Sequence, residues 1–300
     1  MDAILENYLQ YICGQENVKR NEPLARWTTF RIGGPARFFV LVDSKEKLQK
    51  LISALEYLER PYFVLGLGAN VLASDQGYDG VVIKINFQTI QHNDVFVYAD
   101  AGTKLSAVVN YAREHGLSGL EWATGIPATI GGGVYMNCGA FEHSMSDVVV
   151  LVDVLQKGKI KTLTNHQINF GYRHSCFMEE PAVIIGAYLR LKHDKPAKIA
   201  TRMREIVAKR NRHPHEPSAG SVFKRPYDNF FVGREIEKLE LAGYTVGGAQ
   251  VSPRHCNFIV NTGGATCRDV WQVLNHVKQQ VEAATGVKLE SEIVILGEME

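Results

Sequence analysis

The stretch GIPATIGGGVYMNCGA, residues 125–140, holds five glycines in sixteen positions and constrains the fold more than any other segment. Glycine loses more backbone freedom on folding than any other residue, so a cluster marks unusual dihedrals or close backbone approach. Two readings follow: a tightly packed loop, or a nest of N–H groups converging on an anion. A second glycine loop, LGLGANVLASDQGYDG (65–80), follows the strand-like YFVLG. A dinucleotide-binding βαβ unit needs a helix to begin at once after such a loop, so that its N-terminus faces the pyrophosphate. Here the downstream residues are turn-rich and lead straight into VVIKI, a strand. That excludes the Rossmann unit, and the lack of G-K-[ST] excludes a P-loop. What remains is an anion held by loop amides of two segments, with the Thr129 hydroxyl and the Asn70 and Asn137 carboxamides as further donors.

The bulk numbers make any anion site local. Thirty-three basic residues balance 32 acidic ones for a formal charge of +1, so no net field draws the chain to nucleic acid or anionic membrane. No apolar run approaches the ~18 residues of a membrane span. The start, MDAILENYLQYICG, lacks the basic and cleavable features of a secretory signal. A cytoplasmic monomer is the expectation. Five scattered cysteines without a C-x-x-C pair read as reduced thiols. His213 and His215 form an H-x-H pair without a third ligand at sensible spacing, so no metal is expected.

Helical spacing of Ile4, Leu5, Tyr8, Leu9 and Ile12 predicts a short N-terminal helix, and that of Leu48, Leu51, Ile52, Leu55 and Leu58 a second, closed by Pro61. Thr103 is expected to cap a third over KLSAVVNYAREHG. After the glycine-rich segment, DVVVLVDVLQ, KIKTLT, QINFGYRHS and AVIIGAYLRLK read as strands of a largely antiparallel sheet. HDKPAK reads as a linker into a helix over AKIATRMREIVAKRN, and HPHEPSAGSVFKRP as a proline-punctuated loop. A long helix within 265–286 is ended by Gly286, and SEIVILG closes the chain as a strand.

TTFRIGGPA (28–36), the two glycine loops, FGYRHS, PSAGSVFKRP, GGAQVSPRHCNFIVN and LESEIVILGE, in this order, resemble the UDP-N-acetylenolpyruvoylglucosamine reductase (MurB) family, in its shorter second type. The resemblance runs from about residue 27 to the end. Two departures stand out: Ala128 replaces the second glycine of G-I-P-G, and Ser291 replaces the proline of L-E-P-E. Ala128 is tolerable only with a negative φ.

The resemblance implies an α+β fold of the PCMH/vanillyl-alcohol-oxidase type, two FAD-binding subdomains plus an α/β substrate-binding domain. On this sequence the implied segments are 1–26 (N-terminal helix), 27–193 (flavin, subdivided 27–85 and 86–193), 194–291 (substrate) and 292–300 (a strand returning toward the flavin domain). FAD is implied to be noncovalent, despite His143 and His174 near the flavin segments, and NADPH is the implied reductant. Cofactor contacts fall on Arg31, Gly33, Gly34, Gly66, Gly68, Ala69, Asn70, Val71, Gly125, Ile126, Pro127, Ala128, Thr129, Gly131, Gly132, Asn137, Gly139 and Ala140.

The implied reaction reduces an enolpyruvyl UDP-sugar nucleotide for peptidoglycan precursor synthesis. Ser221 is implied as general acid, Arg173 as the carboxylate and enolate ligand, and Glu292 as their assistant. Glu292 is expected to hold its proton more tightly once it faces the substrate carboxylate. Tyr172, Lys224, Arg225 and His255 are the implied substrate contacts. The alternative is another flavin oxidase or dehydrogenase of the same fold acting on an alcohol or hydroxy acid. It accounts for both glycine loops but not for PSAGSVFKRP together with LESE. A third reading, a flavin- or nucleotide-binding module without catalysis, leaves Arg173, Ser221 and Glu292 without a purpose.

Overall fold

The computed structural model describes residues 2–299; Met1 and Glu300, the outermost residues of the expected N-terminal helix and C-terminal strand segments, lie outside the described residues. The chain forms two compact units, each assembled from separate stretches. The first takes the N-terminal 19 residues with 38–67 and 80–211, the second 20–37, 68–79 and the C-terminal part from Arg212.

In the first unit, helix Asp2–Cys13 buries Leu5, Leu9, Ile12 and Cys13. Ile4 and Tyr8, expected on that face, point to solvent instead. Helix Lys45–Tyr57 starts where the Ser44 hydroxyl accepts the Lys47 amide at 3.2 Å. It buries Leu48, Leu51, Ile52 and Leu55, each worth ~1.5–3 kcal/mol when fully removed from water. Tyr62–Val64 pairs in parallel with Tyr78–Ile85, which lies between it and Pro35–Val42 in a four-stranded sheet. The second sheet is antiparallel throughout, in the order 159–164, 149–156, 183–190, 96–100, 90–93. One apolar core runs through these elements.

Three expectations change here. Thr103 does not cap the helix Leu105–Glu114: Lys104 occupies the N-cap position without a side-chain bond, while the buried Thr103 hydroxyl turns to the Thr89 carbonyl. QINFGYRHS is not a strand. A capping box between Thr164 and Gln167 winds Asn165–Ile168 into one helical turn, and Asn169 ends it at φ +50°. The supposed linker near Asp194 is not a boundary, because helix Pro196–Arg210 stays with the first unit. Its Ile199 is buried there, and Arg202 reaches Glu121 at 2.8 Å and Asp194 at 2.6 Å.

The second unit is built on an antiparallel sheet in the order 218–221, 258–261, 249–251, 245–246. PSAGSVFKRP therefore contains a strand, Ser218–Ser221, where only a loop was expected. Helix Cys267–Thr285 belongs to the same core, to which it contributes Val270, Val273, Leu274, Val277 and Val281, one face at helical spacing. Thr266 and Asp269 close a capping box at its start, and Gly286 ends it at φ +71°. The Asp75 carboxylate, from the 65–80 glycine loop, also accepts the amides of Cys267 (2.8 Å) and Arg268 (3.1 Å). The final strand, Val294–Leu296, pairs in parallel with Val71–Ala73. Among the described residues no helix is long and apolar enough to cross a membrane.

Candidate active site

The expected site residues divide between the two units. In the first, Gly66 lies against Thr129: a Cβ on Gly66 would stand 2.9 Å from the Thr129 hydroxyl oxygen. Lys84 donates its ammonium to the Gly66 carbonyl. Burial, and then repulsion from Lys104, pull the Lys84 pKa down to about 8. Among the described residues Lys84 has no carboxylate partner. Lys104 itself pairs through its backbone with Thr129.

The segment 125–140 is not one continuous loop. Gly125 and Pro127 are exposed while Ile126 and Ala128 are half-buried against the core. A helix of six residues, Ile130–Tyr135, then begins, because the Thr129 hydroxyl accepts the Gly132 amide at 3.2 Å. Three consecutive glycines disguise it, since each costs ~1 kcal/mol relative to alanine in a helix. Gly131 is there for packing: a Cβ would meet the Ala101 Cβ at 3.0 Å. Ala128 does not have a positive φ, which meets the condition its substitution requires.

Asn137, expected to offer its carboxamide to a ligand, is buried and spends both ends inside the protein. Nδ2 donates to the Gly171 carbonyl (2.8 Å) and Oδ1 accepts the Ser146 amide (2.9 Å). This ties the glycine-rich segment to FGYRHS. Arg173 sits in that turn at φ +54°, and its Nη2 donates to the Gly139 carbonyl at 2.9 Å. Its guanidinium carbon lies 5.0 Å from the centre of the half-exposed Tyr172 ring. Gly139 and Ala140 pair with Ser144 and His143 in a hairpin. Arg210 lies against Gly125 and donates Nη2 to the Trp122 carbonyl at 3.3 Å, while its buried Nε has no hydrogen-bond partner.

In the second unit the Gly68 carbonyl accepts the Thr29 amide (3.1 Å), and the Thr29 hydroxyl donates to the Ser218 carbonyl at 2.6 Å. Gly68 has φ +65°, and any Cβ would strike the Trp27 carbonyl. Arg31 is left-handed at φ +57°, and Gly33 and Gly34 pack against Leu24, Ala73 and the Asp75 backbone. After Ala69, Asn70 turns inward too: Nδ2 donates to the Glu292 carbonyl at 2.9 Å, and its own carbonyl accepts the Val294 amide at 2.9 Å. Val71 starts the strand that pairs with Val294.

Ser221 and Glu292 come together on adjacent backbones. The Glu292 amide donates to the Val222 carbonyl at 2.8 Å, Phe223 bridges Ser291, and the Lys224 amide donates to the Glu290 carbonyl. Gly220 at φ +76° precedes Ser221, which pairs with Phe258. Among the described residues the Ser221 hydroxyl has no hydrogen-bond partner. The Lys224 ammonium is committed to Glu290 at 2.5 Å, and Arg225 lies over the Phe231 ring at 5.2 Å. His255 packs against His213 and Phe258, with Nδ1 buried and unpartnered; burial holds its pKa below the ordinary histidine value.

Asn257 supports this strand and was not singled out in the sequence. Its carboxamide accepts the Phe223 amide (3.2 Å) and donates to the Phe223 carbonyl (3.0 Å), a two-point clamp two residues from Ser221. Asn261 holds TTFRIGGPA by a single bond, donating to the Phe30 carbonyl at 3.0 Å, while its oxygen accepts the Gly263 and Ala265 amides. The signal was there in NFIVN, an apolar strand bounded by two asparagines. A buried asparagine in such a setting must find partners.

The first unit sets glycine turns around half-buried cations, the second joins the Ser221 and Glu292 segments through their backbones, and the family matches of the chain define its class as a flavin-dependent oxidoreductase. Residues 36–164 match the FAD binding domain, and residues 212–296 match the UDP-N-acetylenolpyruvoylglucosamine reductase, C-terminal domain. The UDP-N-acetylenolpyruvoylglucosamine reductase of Caldanaerobacter subterraneus subsp. tengcongensis is 39% identical over 302 residues, 99% of this chain and 100% of that protein. That of Pediococcus pentosaceus is 40% identical over 94% of this chain and 95% of its own. The crystal structure of the Thermus caldophilus enzyme (MurB) superposes with a TM-score of 0.82 at 34% identity, covering 93% of this chain and 98% of that one. The chain belongs to the UDP-N-acetylenolpyruvoylglucosamine reductase family.

Proposed function

We propose that this protein reduces the enolpyruvyl group of UDP-N-acetylglucosamine enolpyruvate to give UDP-N-acetylmuramate, with NADPH as reductant and FAD as cofactor. The backbone pairing of Glu292 with Val222 supports this reading, because it brings the segment bearing that carboxyl next to the segment bearing the Ser221 hydroxyl, which has no hydrogen-bond partner among the described residues. The first unit fits an anionic dinucleotide. Lys84 is a half-buried ammonium bonded to the Gly66 carbonyl, with no carboxylate partner among the described residues, and a diphosphate would relieve its desolvation. Gly66, Gly68, Ala69, Asn70 and Val71 would hold the diphosphate through their amides. Arg31, Gly33, Gly34 and the segment Gly125–Ala140 would line the rest. Bound FAD would supply the hydride, taken from NADPH and delivered to the methylene carbon of the substrate.

The chain's own residues then manage charge and a proton. Hydride addition pushes negative charge onto the neighbouring carbon and its carboxylate. Arg173 would receive that charge through its planar fork of donors, pre-aimed by the Gly139 carbonyl and by the strained turn in which it sits. Ser221 would deliver its hydroxyl proton to that carbon. Glu292, in its protonated form, would hydrogen-bond the carboxylate or orient the donors. Tyr172, Lys224, Arg225 and His255 would contact the nucleotide sugar, Lys224 by exchanging Glu290 for a phosphate oxygen.

Rapid mixing of the FAD-loaded Ser221→Ala variant tests this. Bleaching of the flavin band by NADPH should keep its wild-type rate. Its anaerobic return on adding the enolpyruvyl nucleotide should slow by at least ~10²-fold, the usual contribution of a positioned general acid. Equal loss of both half-reactions in a folded variant would overturn the assignment.

A further inference from the structure

Helix Asp2–Cys13 has apolar residues on two faces, and the chain covers one of them. Leu5, Leu9 and Ile12 enter the core of the first unit. Ile4, Tyr8 and Tyr11 follow one another at i, i+4 and i+7, so they form a second stripe, and it faces solvent. Ile4 is 76% exposed, Tyr8 44% and Tyr11 86%. The neighbouring Ala3 and Asn7 are exposed too, and neither carries a charge. The only charged side chains of the helix, Asp2 and Glu6, are half-buried and lie outside this sector. A surface helix ordinarily turns a charged face to water, and one that is apolar on more than one face is a buried helix.

Area and charge together say what covers the stripe. A tyrosine offers ~150–250 Å², so the two tyrosines with Ile4, Ala3 and Asn7 present roughly 500–600 Å². That is the upper end of what a monomer leaves open. Paired with an identical stripe it buries about 1,000–1,200 Å² in total, which reaches the lower bound of a specific interface. Rich in tyrosine and empty of charge, it has the chemistry of a homodimer seam. Anionic lipid is a poor match, because the helix offers acids and no lysine or arginine. A strongly charged macromolecule finds no opposite charge on it. A second copy fits in one direction. Across a two-fold axis between Asn7 and Tyr8 the helices run antiparallel, so that Ile4 packs against the partner's Tyr11 and Tyr8 against its own counterpart. The two macrodipoles then lie head to tail, and Asp2 and Glu6 stay outside the seam.

We propose that this protein forms a weak two-fold dimer in which helix Asp2–Cys13 pairs antiparallel with its counterpart through Ile4, Tyr8 and Tyr11. The monomer expected from the sequence is then the dilute form. An interface of this size gives a dissociation constant of about 10–100 µM. Neither the cofactor nor the substrate enters the inference, so it stands or falls apart from the functional reading above.

Sedimentation velocity of the whole chain over about 1–200 µM, a range that brackets this constant, decides it. The weight-average mass should climb from one chain toward two. Ile4→Glu and Tyr11→Lys each bury an unpaired charge in the seam and should weaken the dimer by at least ~10-fold. Both side chains face water, and each new charge complements its end of the helix, so both variants should melt close to wild type. The double variant Ile4→Glu/Tyr11→Lys sets opposite charges against each other only when the helices run antiparallel. It should associate more tightly than either single variant. A wild type that stays a single chain at the highest concentration overturns the proposal. So does association that neither single substitution weakens, which places the interface elsewhere, or a double variant no tighter than the singles, which excludes the antiparallel pair. Flotation on neutral phosphatidylcholine vesicles is the remaining arm. Capture of a monomer by vesicles, abolished by Tyr11→Lys, would make the occupant lipid and not a second copy.

Discussion

The two units differ in which positive charges they leave without an acid. In the second, Lys224 is ion-paired with Glu290, Lys238 with Glu235, and Arg225 and Arg234 lie over the Phe231 ring. In the first, Arg202 and Lys45 are ion-paired too, but Lys84 and Arg210 are half-buried against backbone carbonyls with no carboxylate partner among the described residues. Burying an ion without a partner costs several kcal/mol, so the first unit carries an electrostatic debt that, on the proposed reading, a bound anion would discharge. In the second unit the Ser221 hydroxyl, on a segment hydrogen-bonded to that of Glu292, has no hydrogen-bond partner among the described residues. On the proposed reading, one region awaits negative charge that arrives and the other a proton that leaves.

The largest test of that contrast falls on Arg173, the cation assigned to the charge that develops in the reaction. Arg173→Lys keeps the charge and loses the fork. It should slow flavin reoxidation by the enolpyruvyl nucleotide by ~10²–10³-fold, the usual cost of removing a preorganised donor, while NADPH-driven bleaching stays near the wild-type rate. A variant reoxidised at the wild-type rate would reduce Arg173 to a buttress for Gly139.

Lys84 gives the next largest effect, and it is one of stability. Its pKa falls from an ordinary 10.5 to about 8 on folding, so the unfolded chain binds the extra proton between those values. Stability then rises with pH across about 8 to 10.5, and the full penalty, about 3 kcal/mol, applies below pH 8. Cys13, whose thiol burial pushes up to about 11, works against this at alkaline pH, so the informative quantity is the difference between two proteins. FAD-free Lys84→Met should be more stable than wild type at pH 7, and the gap should close toward pH 10. FAD should bind it more weakly at pH 7. A gap that does not depend on pH would mean that Lys84 is settled by its Gly66 contact alone.

What the sequence disclosed follows from how local each feature is. The long helix within 265–286, its stop at Gly286 and the failure of a helix to follow Gly68 are all decided within a few residues, and all were legible. The meeting of Ser221 with Glu292 was not. It depends on antiparallel pairing between distant segments, and only the resemblance of PSAGSVFKRP and LESE pointed to both. The inward turn of Asn70 and Asn137 was hidden for the same reason, since a carboxamide in a glycine loop looks the same whether it serves a ligand or a distant carbonyl. The helix Ile130–Tyr135 was masked by its own glycines, whose cause, the neighbouring Ala101, lies on another element.

The smallest effect sharpens the account of that glycine-rich segment. If glycine were needed throughout it for contact with a ligand, Ala128 would be a defect, and restoring the glycine of G-I-P-G would tighten FAD binding. The geometry argues otherwise. Ala128 is half-buried against the first unit's core, its φ is not positive, and its carbonyl accepts the Leu105 amide at 2.8 Å. Its methyl group restricts the unfolded chain and strains nothing in the folded one. Ala128→Gly should therefore cost ~0.4–1 kcal/mol of stability, chiefly through the unfolded state, and leave FAD affinity within twofold. Denaturant melts of the FAD-free protein, paired with a fluorescence titration of FAD, separate the two quantities. Tighter binding with unchanged stability would show that the alanine methyl blocks the cofactor, and would move the ligand-facing part of the segment from Gly125 toward Ala128.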